Sequence, residues 1–242
     1  MKGRDFMVGG IAVLVGAGAA VLAMGGTAPA VGTTDRAAIE TIVREYILTH
    51  PEILPEAMRN LEEREVSKAV SQNRSALEKP FAGAWEGAAD GDVTLVEFFD
   101  YNCSYCRASL PTITRLLSED KKLKIVYREL PILGDASESA ARHSLAVAQQ
   151  SNYTTFHRLV FGAGRTSQAV IDDALSKTGT DKARVKAALS SPAIETEIAQ
   201  NLSLQRSLNL SGTPSWVVGN RVFAGAVGYD ELKKAIAEAR AK

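Results

Sequence analysis

The sequence predicts an α/β domain preceded by a helical arm and interrupted by a helical subdomain, and three observations predict it. The β-branched and aromatic run Val93–Phe99, the helix-spaced apolar residues Leu110, Ile113, Leu116 and Leu117, and the run Leu123–Glu129 follow one another as a strand–helix–strand unit. From Asp135 to about Leu210 only helical patterns occur, broken near Ser151, Gly162-Ala163-Gly164, Gly179 and Pro192. Strand patterns then resume at Trp216–Val218 and Val222–Ala224, with Gly219-Asn220 between them as a hairpin turn, and Asp230–Ala241 closes the chain as a helix.

At 242 residues and 45% hydrophobic content, the chain suffices for one substantial core with an appendage. Its 28 basic and 28 acidic residues cancel, so no global charge bias points to nucleic acid as a partner.

Taken in order, the chain opens with Lys2 and Arg4, an apolar Gly/Ala-rich stretch from about Val8 to Met24, and the small residues Ala28-Pro29-Ala30. Residues 1–30 therefore read as an export signal, or as a membrane anchor if left uncleaved, and the rest of the chain is expected outside the cytoplasm. Residues 31–79 form the arm. Ile39, Ile42, Val43, Tyr46 and Ile47 make the apolar stripe of a first helix, Thr34–Thr49, which His50-Pro51 ends. A longer charged helix, from about Pro55 to Lys79, carries Met58, Leu61, Val66, Val70 and Leu77. Two such helices cannot bury both apolar faces alone, so they either dock on the main domain or join subunits. The domain itself is expected over 80–242, with its helical insertion at about 135–210. Pro80 to Asp92 is a small-residue linker with a short first strand near Phe81, and Asp120-Lys121-Lys122 is the polar connection inside the strand–helix–strand unit.

Both cysteines of the protein, Cys103 and Cys106, lie where the central strand passes into its helix. Three residues apart, they share one helical face one turn apart, close enough to form a small disulfide ring. Cys103 stands at the exposed start of the helix, where unpaired N–H groups and the positive dipole end favour a thiolate. A ring spanning two intervening residues removes little unfolded-chain entropy, so a purely structural disulfide explains the pair poorly. Half of a zinc site would need two more ligands, and His50, His143 and His157 are scattered, reading as helix-surface or helix-end residues.

The string Phe98-Phe99-Asp100-Tyr101-Asn102-Cys103-Ser104-Tyr105-Cys106-Arg107 resembles the thioredoxin-fold thiol–disulfide oxidoreductases, and within them the DsbA-like branch, nearest the suppressor-of-copper-sensitivity C type proteins. Leu130-Pro131-Ile132-Leu133-Gly134 and Ser211-Gly212-Thr213-Pro214-Ser215-Trp216-Val217-Val218-Gly219 extend the resemblance over most of the chain. The Ser104-Tyr105 dipeptide departs from the Pro-His of the best-known oxidases.

The resemblance implies a thioredoxin-like fold and a periplasmic protein disulfide oxidoreductase or isomerase with no cofactor. It implies exported proteins as substrates, a membrane redox partner, and an arm that builds a homo-oligomer, by family pattern a trimer. Cys103 would attack a substrate disulfide, or be attacked at its own, and Cys106 would resolve the mixed disulfide. Glu97, which interrupts an apolar run six residues before Cys103, matches the family's proton-transfer acid; burial in a central strand would raise its pKa. Period-two alternation is equally compatible with a glutamate on an exposed strand face. Thr213-Pro214 would face the disulfide with a cis peptide bond, Thr213 offering backbone hydrogen bonds to an extended substrate segment. Tyr105 would tune the thiolate or line the substrate groove. A monomeric oxidase, a thiolate site for Cu(I) and a helical adaptor remain as other readings.

Overall fold

A computed structural model of the protein describes residues 33–241; the expected export segment lies outside them. The chain divides into two compact units, Met1–Pro55 and Glu56–Lys242. In the first, α1 (Thr33–Thr49) exposes Ile39, Ile42, Val43, Tyr46 and Leu48. His50 ends it, its backbone N–H donating to the Tyr46 carbonyl and its ring stacking on Tyr46 at 4.3 Å.

α2 (Ile53–Glu78) starts two residues ahead of Pro55, because proline is accommodated in a first helical turn, where its missing N–H has no carbonyl to meet. Its two halves differ. Met58 and Leu61 are exposed, whereas Val70 and Leu77 are buried with Val96, Phe98, Val126, Leu204 and Val217. The expected boundary at residue 80 is therefore not where the packing changes: the second half of α2 belongs to the core of the second unit.

That unit is built on a five-stranded sheet in the order β1-β3-β2-β4-β5. β2 (Val93–Phe99) and β3 (Leu123–Glu129) are parallel, joined by α3 (Ser104–Glu119), while β1 (Trp85–Gly87), β4 (Ser215–Val218) and β5 (Arg221–Ala224) pair antiparallel. The first strand is not near Phe81, because the Ala84 N–H donates to the Phe81 carbonyl and closes a turn there. Gly219 takes a left-handed φ of 59° in the β4–β5 hairpin, as the Gly219-Asn220 turn requires.

Strand alternation separates two apolar layers. Leu95, Phe99, Ile125, Tyr127 and Trp216 face the larger one, filled by α3, by α4 (Asp135–Ala148), α5 (Tyr153–Gly162), α6 (Gln168–Thr178) and α7 (Lys182–Ala188), and by α9 (Tyr229–Arg240). Val96, Phe98, Val126 and Val217 face the smaller, covered by α2 and the end of α8 (Pro192–Ser207). On that second side the Arg128 guanidinium is 1% exposed; it pairs with Glu197 at 2.8 Å and donates to the carbonyls of Ala76, Leu77 and Lys79 at the end of α2. One β3 side chain thus satisfies orphan carbonyls of the helix terminus and fixes it to the sheet.

His157 is neither a surface nor a helix-end residue. It occupies a position in the α5 stripe Tyr153, Phe156, Val160 and Phe161, is 1% exposed, and packs against Phe99 and Tyr127 with ring centroids 4.8 and 4.6 Å away. Burial holds its pKa down at about 3, so it is neutral.

Candidate active site

β2 ends at Phe99 and delivers the chain into a turn that one carboxylate organises. The Asp100 side chain, 1% exposed, accepts from the Asn102 N–H at 2.7 Å, the Ser137 hydroxyl at 2.6 Å, and the N–H groups of Ile132 and Leu133 at 2.9 and 3.0 Å. Asn102 extends the brace, donating to Ser137 Oγ and accepting from the Thr166 N–H. The segment Leu130–Gly134 and the first turn of α4 are thereby bound to the turn that presents the thiols.

Cys103 has an extended backbone, ψ 114°, and caps α3: its Sγ accepts from the Cys106 N–H at 3.3 Å. The helix begins at Ser104, directly after the capping cysteine, six residues before the apolar period that starts at Leu110. Cys103 is also less open than expected, at 6% exposure, because its Sγ lies against the Thr213 carbonyl and donates to it at 3.2 Å. The Thr213–Pro214 bond is cis, and the chain proceeds directly into β4 beside β2. Thr213 is half-buried and Pro214 buried, while Tyr105 projects at 66% exposure.

Both thiols are free, and Cys106 is 1% exposed. Its pKa is pushed far up, first by burial, then by the charges of Glu97 and Cys103. Glu97, 2% exposed, is also raised well above the carboxylate range, by burial first and then by Cys103 and Glu86. All five residues expected at the site, Glu97, Cys103, Cys106, Thr213 and Pro214, are accordingly within one electrostatic and hydrogen-bonded neighbourhood. Burial favours the uncharged form of both the Cys106 thiol and the Glu97 carboxyl. Sequence reasoning missed Asp100, Asn102, Ser137 and Thr166. Only the Asp100-x-Asn102 spacing, a local Asx-turn signal, was available to find any of them.

A sulfur at a helix N-terminus, a second one turn on, and a cis-proline loop across from them define a thioredoxin-fold dithiol protein. The chain belongs to the DSBA-like thioredoxin domain family, whose model matches residues 94–237. A second model, the copper resistance protein ScsC N-terminal domain, matches residues 35–66. Among solved structures, a thioredoxin-like oxidoreductase from Silicibacter pomeroyi is 37% identical, with a TM-score of 0.67 over 70% of this chain and 99% of that one. A linker-deletion mutant of Proteus mirabilis ScsC is 28% identical with a TM-score of 0.70, covering 89% and 99% of the two chains. The chain matches the thiol:disulfide interchange protein DsbA of Bordetella parapertussis at 23% identity, over 57% of this chain and 68% of that one. It spans 24% of the length of two Salinispora sodium/proton antiporters that it matches at 25% and 26% identity over 156 residues.

Proposed function

We propose that this protein is an exported thiol–disulfide oxidoreductase that shuffles disulfides in other exported proteins. The observation that carries the reading is the placement of Cys103 Sγ as the cap of α3, against the Thr213 carbonyl and one turn before the buried Cys106. Cys103 is the attacking sulfur, Cys106 resolves, and Glu97 exchanges the proton of Cys106. Thr213, Pro214 and the exposed Tyr105 border the place where a substrate segment lies. Replacing Cys106 with Ser is expected to trap substrates on Cys103 as mixed disulfides, visible on non-reducing gels, while Cys103→Ser traps none. Trapping through Cys106 alone would reverse the roles.

Shuffling, in preference to simple oxidation, is supported by the arm. α1 exposes five large apolar side chains in one helix, an arrangement that suits self-association. Joined subunits would hold several dithiols near one misfolded substrate and raise their effective concentration. The protein is proposed as a homo-oligomer, a trimer by family pattern, acting in the periplasm after export by residues 1–30, cleaved or retained as an anchor, and reset by a membrane redox partner. Changing Ile42 and Val43 to Lys is expected to yield a monomer by light scattering that keeps dithiol exchange but loses activity on scrambled ribonuclease. A wild-type monomer, or a monomeric variant with full isomerase activity, would favour an oxidase instead.

A further inference from the structure

The turn Asp100–Cys103 carries the first sulfur, yet nothing supports it from outside: Ser104 and Tyr105, which follow it, are exposed. Its restraints come from within. The Asn102 N–H donates back to the Asp100 carboxylate and the Cys103 N–H to the Asp100 carbonyl at 3.0 Å, so the turn closes on Asp100 twice. The same carboxylate reaches out to Ile132, Leu133 and Ser137, and Asn102 reaches to Thr166. Arg107, one turn into α3, donates to the carbonyls of Phe161 and Gly164. Two segments distant in sequence, 130–137 and 161–166, thus hold the turn from inside. Asp100 is the residue whose chemistry is most restricted there. Its Oδ1 accepts from Asn102 and Ser137 and its Oδ2 from Ile132 and Leu133, and all four donors are uncharged. A carboxylate accepts at both oxygens, whereas the amide of the same shape accepts at one and would turn its NH2 against two of these donors.

Resting on the reading of Cys103 as the attacking sulfur, the geometry points to Asp100 as a positioning residue of the dithiol: its carboxylate holds the turn so that Cys103 Sγ remains the cap of α3, which makes the pair a stronger oxidant. The reason lies in which redox form uses the cap. With both thiols free, Cys103 Sγ accepts from the Cys106 N–H at 3.3 Å and sits on the helix N-terminus, where unpaired N–H groups favour reduced, thiolate sulfur. A disulfide sulfur is uncharged and held by its covalent bond, so it depends less on that seat. When a substrate thiolate attacks the disulfide, its sulfur bonds to Cys103, the bond between the two cysteines breaks, and Cys106 leaves with the electron pair. A second substrate thiolate then displaces Cys103, which leaves with its own electron pair onto the cap. The substrate sulfurs have lost two electrons and the cysteines have gained them, while the two substrate thiol protons pass to the cysteines or to solvent. Asp100 acts on the departing Cys103 only through the turn, since its carboxylate makes its four bonds to the scaffold.

The test uses the full chain equilibrated in glutathione buffers of graded ratio, where two glutathiones are oxidised to one glutathione disulfide for each Cys103–Cys106 pair reduced. Free thiols are trapped with a maleimide and counted by mass. Asp100→Asn keeps the shape, and is expected to lower the equilibrium constant for reduction about tenfold, near the worth of one hydrogen bond to a charged group and equal to about 30 mV for a two-electron couple. In urea unfolding the reduced form should then lose more stability than the oxidised form, because potential and stability close one thermodynamic cycle. Ser137→Ala removes one of the four donors and is expected to shift the constant in the same direction by less; it decides the question alone if Asp100→Asn does not fold. A folded variant that loses stability equally in both redox forms, with its constant unchanged or raised, overturns the role of Asp100 and leaves it a purely structural brace. The reading beneath it is checked separately with Cys106→Ser. If no substrate is trapped on Cys103, that reading falls and this role with it; if Cys103 traps substrate and the constant of Asp100→Asn is unchanged, only the role of Asp100 falls.

Discussion

Glu97 shows what a single side chain does to the pH response of the whole fold. Its folded pKa lies above its unfolded value of about 4.3, so the native state holds the proton more tightly than the denatured one. That preference contributes fully below about pH 4.3 and is lost as pH rises through the folded value. Glu97→Gln is thus expected to match the wild type near pH 4 and to exceed it in stability at pH 7 to 8, read as urea midpoints of the reduced proteins; a gap that does not grow with pH would place the carboxyl in water. His157 acts with the opposite sign. Its folded pKa of about 3 lies below the unfolded value of about 6.5, so its contribution is complete above about pH 6.5 and is lost as pH falls. His157→Phe should flatten that acid limb, and an unaltered limb would assign it to other groups. Both residues were legible to different degrees: Glu97 interrupts an apolar run, and His157 occupies a position in the stripe Tyr153, Phe156, Val160 and Phe161, where only its polarity hid its burial. Asp100 was not legible, since its partners at 132, 133 and 137 are brought to it by the fold.

α2 carries apolar residues along its whole length, so periodicity reveals a helix yet not which half is covered. Burial decides it: Val70 and Leu77 pack under the sheet, and the end of the helix is taken by Arg128. Leu77→Ala is expected to cost about 2–5 kcal/mol, the range for truncating a buried leucine, whereas Glu62→Ala on the exposed half should stay within about 0.5 kcal/mol. Similar costs in thermal melts at the two positions would mean that the exposed half is covered too. The start of α3 was legible only through the spacing of its two cysteines. Its first turn, Ser104–Cys106, holds the chemistry and no apolar period, and cysteine is not among the residues by which a cap is recognised.

At the scale of the molecule, the order of strands and helices was readable from Val93 onward, because each element carries its own pattern and the turns between them are marked by glycine or polar residues. The division of the chain was not, because it depends on which surfaces meet. With the packing known, removal of residues 1–55 should leave the second unit stably folded with its dithiol reactive, while removal up to residue 79 strips Val70, Leu77 and the carbonyls bound by Arg128, and should lower the melting temperature markedly. Equal melting temperatures for the two truncations would contradict that packing.

The anchoring of α2 at one end only has a further consequence, which concerns angular phase. Beyond Val66 the helix is fixed by its buried face, by the Arg128 contacts and by Arg74 bonding to Gly219 and Asn220, and the turns before it continue the same helix. One residue inserted after Glu63 would turn Met58 and Leu61 by about 100° and push them about 1.5 Å along the axis relative to Val70, whereas seven would restore nearly the same azimuth about 10 Å farther out. If the proposed shuffling depends on a defined bearing between this helix and Cys103, one added residue is expected to abolish it and seven to restore it; if it depends on reach, the response follows length alone.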